Sequence, residues 1–140
     1  MDLQPLVVVM SGVFAAGTMA AAWRSRSWLE MNATDFKIDF SRTIAVADKL
    51  QPALAVGALG AITGYVLDSS EPGEGFAIGA GVILLGILVG SLAVLVPLQR
   101  RIIHNSESEE ATEGLRSRWV RGHLMRTIAA LVAFCLAILI

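Results

Sequence analysis

Four side chains near the C-terminus, Arg116, Trp119, His123 and Arg126, recur at i, i+3, i+7 and i+10. At about 100° per residue, helical spacing sets all four on one face. An indole, an imidazole and two guanidiniums on one stripe suit two kinds of chemistry. His123 could act as general base toward an acidic substrate, because its unperturbed pKa lies close to neutrality. It could instead be the axial ligand of a b-type haem, with Arg116 or Arg126 pairing the propionates. The structural alternative is a histidine hydrogen-bonded inside a helix interface, with Arg126 snorkelling to lipid phosphates.

The surroundings of that stripe are apolar. The chain is 55% hydrophobic, with a mean hydropathy of +0.66, well above an ordinary globular domain. Its length of 140 residues leaves room for a single transmembrane domain. Spans are expected at about 3–24, 43–67, 75–99 and 114–140. The first lacks a basic n-region and follows Asp2, so it reads as retained rather than as a secretory leader. The apolar run from Thr127 to Ile140 is too short: about 21 Å of helix against ~30 Å of hydrocarbon. The last helix must therefore start earlier, which draws Trp119, His123 and Arg126 to the membrane boundary.

Charge gives the orientation. All 11 Lys and Arg residues fall in two segments, Arg24 to Lys49 and Arg100 to Arg126, and only acidic charges lie between them. The positive-inside bias places both basic loops in the cytoplasm and both termini outside. The expected fold is thus an all-α, integral membrane four-helix bundle in the cytoplasmic (inner) membrane of a bacterium. All four helices bring polar residues to the inner end: Trp23 and Arg24, Asp48 and Lys49, Gln99 and Arg100, and the Trp119 stripe. Asp48 is a natural counter-ion for Arg126 or Arg116, and pairing with its own neighbours or with water is the equal alternative. Membrane orientation explains the basic clusters, so nucleic acid is not an expected partner; membrane lipid and a hydrophobic small molecule are.

The connections carry less. Asp68 to Glu74 holds a Pro-Gly breaker and makes spans two and three a hairpin. Trp28 to Ser41 reads as an irregular loop or a short interfacial segment, since Phe36, Ile38 and Phe40 alternate with charged residues. His104 to Gly114 reads as a solvated acidic loop, with Thr112 a candidate helix cap. Gly60/Gly64 and Gly86/Gly90 are small-xxx-small pairs, read chiefly as tight packing within one bundle, with a homo-oligomer or larger membrane complex as the alternative. The lone Cys135 excludes an internal disulfide, and two histidines nineteen residues apart lack a zinc spacing.

The run Trp119-Val-Arg-Gly-His123-Leu-Met-Arg126, set just before a final apolar helix, resembles the W-x-x-x-H-x-x-R signature of the DUF1772 or anthrone oxygenase-like membrane proteins. Val96-Pro97-Leu98-Gln99 stands where that family commonly reads Pro-Leu/Ile-Asn, so Gln99 is a departure. The resemblance implies four helices and, for some members, oxidation of an anthrone to an anthraquinone by molecular oxygen. It carries Trp119, His123 and Arg126 into the site. Trp119 would stack on a flat aromatic substrate, His123 would take the methylene proton and Arg126 would stabilise the enolate. Gln99 and Asp48 are further candidates for substrate contact.

Two other functions compete with an oxygenase or redox role. One is a non-catalytic accessory subunit that packs on a larger membrane complex through its glycine-rich helices. The other is a small transporter, disfavoured because spans one and three hold no ionisable residue.

Overall fold

The computed structural model describes residues 3–68, 73–104 and 108–140. Helix α1 runs Gln4–Trp28, α2 Ala33–Asp68, α3 Glu74–Gly90, α4 Val96–His104 and α5 Glu109–Ile138. A π-helical turn, Ser91–Leu95, joins α3 to α4, so the two continue as one rod, Glu74–His104. The four rods of 25, 36, 31 and 30 residues are each long and apolar enough to cross a membrane. This is a multi-pass membrane four-helix bundle. Its large exposed side chains, such as Val9, Val56, Val82 and Val132, form the lipid-facing surface. The helices pack in a ring, α1 on α2, α2 on α3, α3 on α5 and α5 on α1.

Two cores fill the bundle. One is built largely from alanine: Ala15, Ala55, Ala58, Ala61, Ala77, Ala80, Ala130, Ala133 and Ala137, with Phe14, Leu84 and Tyr65 among them. Small side chains let helices approach closely where lipid supplies no hydrophobic drive. The other core lies toward the basic end and is aromatic: Trp28, Phe36, Phe40 and Trp119, with Ile44, Leu95 and Ile102. Its rings meet edge-on, Trp28 to Phe40 at 5.2 Å and Phe40 to Trp119 at 5.0 Å between centroids.

Several connections differ from the sequence reading. Trp28 to Ser41 is helical apart from a short turn. The Asn32 side chain accepts the Asp35 N–H at 2.9 Å and starts α2. Phe36 and Phe40 then fall one turn apart on a single buried face. Their apparent alternation with charge is helical amphipathicity sampled over too few residues. The expected acidic loop likewise yields to α5, whose N-cap is Ser108, accepting the Ala111 N–H. Thr112 is not the cap; its hydroxyl donates back to the Ser108 carbonyl. The Pro-Gly hairpin turn falls largely outside the described residues.

The glycine pairs divide. A methyl group on Gly64 would lie 3.2 Å from Leu3, whereas Gly60, Gly86 and Gly90 face open space in the single chain. Packing within the bundle therefore accounts for only part of the pattern.

Two prolines break helical regularity. Pro97 has no N–H for the Ala93 carbonyl, and its ring crowds that carbonyl. The π-helical turn just before it widens the backbone, so that the Val96 N–H reaches Ser91 O. Pro52, inside α2, removes the donor that the Asp48 carbonyl would otherwise receive. No Cα of α2 comes within 8 Å of the π-helical turn. The gap between them is where the cavity lies.

Candidate functional site

His123 sits at the junction of the two cores, 1% exposed. Its ring stacks on Trp119 with centroids 4.8 Å apart and planes 6° from parallel. Both ring nitrogens are engaged. A guanidinium can only donate, so the Arg126 Nη2 contact of 2.9 Å makes His123 Nδ1 an acceptor. Nε2 then carries the proton and donates to the Thr18 carbonyl at 3.2 Å. The imidazole is held neutral, in one tautomer, with its lone pair turned to Arg126.

Arg126 extends this network to α2. Its guanidinium donates to Gln51 Oε1, while Gln51 Nε2 donates to the Gly17 carbonyl at 3.4 Å. Thr127 closes the crossing from α5, its hydroxyl 3.3 Å from Thr18 O and 3.0 Å from His123 O. One polar relay thus ties α1, α2 and α5 together. The hydrogen bonds from its Nη2 to Gln51 and His123 offset part of the cost of bringing a guanidinium into an apolar bundle.

A cavity of about 70 Å³ lies beside the relay. Asp48, Gln51 and Pro52 line it from α2, Ser91, Leu95 and Gln99 from the opposite rod, and Trp119, His123 and Arg126 from α5. Five of the six expected site residues therefore gather around it. Three buried polar atoms in this lining have no hydrogen-bond partner: Gln99 Oε1, Trp119 Nε1 and Arg126 Nε. An unpaired buried donor or acceptor costs about 1–3 kcal/mol, so such groups mark where a ligand or water completes the structure.

Arg116, the sixth, is placed elsewhere. It is 8% exposed, and its Nη1 donates to Trp28 O at 2.9 Å and to Met31 O at 2.7 Å. Its guanidinium also lies 5.4 Å from the Phe36 ring. It clamps the α1–α2 turn and does not line the cavity. Asp48 is not its counter-ion, and Asp48 acts on Arg126 through space while interacting with Gln99.

In this arrangement both nitrogens of His123, the expected haem ligand, are hydrogen-bonded, and Arg116, an expected propionate partner, is committed to two backbone carbonyls. Among the described residues, no three His, Cys, Asp or Glu side chains gather as metal ligands. Sequence reasoning missed Thr18, Gln51 and Thr127 as partners. Gln51 carried a signal, a polar residue beside Pro52 at the start of an apolar run. The role of Thr18 is played by its carbonyl, which no side-chain pattern reveals.

The membrane bundle thus carries a largely apolar cavity into which Trp119, His123 and Arg126 of its last helix bring polar groups. The family model for anthrone oxygenase matches residues 40–136, and the chain belongs to that family. No curated protein and no solved structure matches it.

Proposed function

We propose that the protein is a membrane oxygenase that converts an activated methylene of a hydrophobic aromatic ketone to a carbonyl, using molecular oxygen. The observation that carries this reading is the His123–Arg126 couple on the cavity wall. A substrate carbonyl competes with His123 for the Arg126 guanidinium. As Arg126 turns to the substrate oxygen, the Nδ1 lone pair is released to take the methylene proton. The negative charge moves onto the oxygen that Arg126 holds. Trp119 keeps the imidazole oriented by stacking, and Gln99 accepts from a phenolic hydroxyl on the substrate.

The carbanion then adds molecular oxygen, first giving it one electron and then forming the C–O bond. The resulting peroxide takes up the proton held by His123. Loss of water, with the second hydrogen leaving carbon and the O–O bond breaking, leaves the ketone. Overall, one methylene and one oxygen molecule give one carbonyl and one water, with no other reductant. In the cytoplasmic membrane with the basic end inward, the substrate enters from the inner leaflet. Its binding widens the gap between α2 and the π-helical turn, since the cavity is smaller than the ~300–1,000 Å³ of a drug-sized ligand site.

Anaerobic exchange separates the base from the oxidation. In heavy water without oxygen, the wild-type protein should exchange the activated C–H of an anthrone. His123→Gln should slow that exchange by about 10²–10⁴-fold. Exchange at the wild-type rate in the variant would remove His123 as the base.

A further inference from the structure

A second concave site lies at the basic end, between α4 and the start of α5. It is a groove of about 900 Å³ lined by Arg100, Arg101 and His104 on α4 and by Gly114, Leu115 and Arg118 on α5, with Ala111 at its edge. It shares no lining residue with the cavity beside His123. No carboxylate lines it among the described residues. The three guanidiniums make no hydrogen bond or ion pair among the described residues, in contrast to Arg24, Arg116 and Arg126. Gly114 faces open space, so the floor on α5 is shallow and accessible.

Like charges drawn into one concave surface repel one another, and an anion between them reverses the sign of that interaction. Guanidiniums present paired N–H donors that match a phosphate oxygen by oxygen. On the same rod, eight and six residues before Arg100, Leu92 and Val94 are exposed apolar side chains. The groove thus offers cationic donors for a headgroup, and the rod that carries Arg100 continues into an apolar stretch long enough to cross a membrane.

We propose that the groove formed by Arg100, Arg101, His104 and Arg118 is a binding site for a phosphate-bearing anion, the headgroup of an anionic phospholipid in the membrane. The site lies outside the oxygenase reading and stands or falls without it. Bound phosphate would tether α4 to α5 across their connection.

Native mass spectrometry of the full chain, released from neutral detergent with phosphatidylglycerol or phosphatidylcholine added, tests the proposal. Wild-type protein should retain phosphatidylglycerol in preference to phosphatidylcholine. Arg101→Gln/Arg118→Gln should lose that preference by roughly tenfold or more. Arg26→Gln/Arg42→Gln removes the same charge from positions outside the groove and should keep it, as should Arg118→Lys. Equal loss in both double variants, or no preference in the wild type, would overturn the site. Glycerol phosphate at millimolar concentration identifies the source. Displacement of the lipid assigns the groove to a soluble phosphate, and retention assigns it to the membrane. Circular dichroism of each variant confirms that the bundle is folded.

Discussion

Replacing Arg116 by Met should separate stability from chemistry. The guanidinium is 8% exposed and donates to the Trp28 and Met31 carbonyls at 2.9 and 2.7 Å. Hydrogen bonds from a charged donor contribute about 1.5–3 kcal/mol each. Methionine keeps an unbranched apolar chain at this position but leaves both carbonyls without their donor. The expected loss is therefore about 3–5 kcal/mol, within the range for removing one partner from a buried charged contact. Titration with dodecyl sulfate in mixed micelles, followed by circular dichroism, reads that loss as an earlier unfolding midpoint. Because Arg116 does not line the cavity, turnover per folded molecule should stay within about twofold of wild type at permissive detergent composition. A stability change under about 1 kcal/mol would refute the clamp. Full stability with abolished turnover would return Arg116 to the active site.

Three further outcomes follow from the same geometry. Asp39 accepts from Trp28 Nε1 at 2.6 Å and from Arg24, so Asp39→Ala should cost about 1–3 kcal/mol by leaving a buried indole N–H unpaired; Arg24→Gln, at an ion pair whose arginine is 53% exposed, should cost no more than ~1 kcal/mol. Paired unfolding titrations with tryptophan emission check the difference. Gln51→Leu removes the acceptor that aims Arg126, and should lower turnover about tenfold, the equivalent of one hydrogen bond, with helix content unchanged by circular dichroism. Pro97→Ala restores the missing N–H and allows a regular α-helical turn, which would rotate Gln99 relative to α3; stability should hold or rise while turnover falls by at least ~10-fold, and both are measured on one preparation.

The bundle itself was legible because hydrophobic runs and the segregation of basic residues are one-dimensional signals. Trp119, His123 and Arg126 were legible for a similar reason, since helical spacing alone puts them on one face. Arg116 obeys the same spacing yet caps backbone carbonyls. Spacing reports a face, whereas the partner depends on which neighbouring turn ends at that height. Trp28, Phe36 and Phe40 were obscured because tertiary packing extends α1 and α2 well past their apolar runs. The Asn32 cap and the Ser108 cap were each only one polar residue among several in a polar stretch. The π-helical turn has its cause in Pro97, but sequence does not tell whether a proline kinks a helix or widens it.

The most direct test of the central claim is oxygen consumption by the full chain in nanodiscs, with an anthrone as substrate and its spontaneous oxidation subtracted. The account predicts one oxygen molecule consumed per ketone formed, without added flavin, metal or haem. It also predicts that oxygen-18 from labelled gas enters the new carbonyl, and that both His123→Gln and Arg126→Gln bring the rate to the spontaneous background. Wild-type turnover in either variant, or no oxygen uptake above background by the folded wild-type protein, would contradict it.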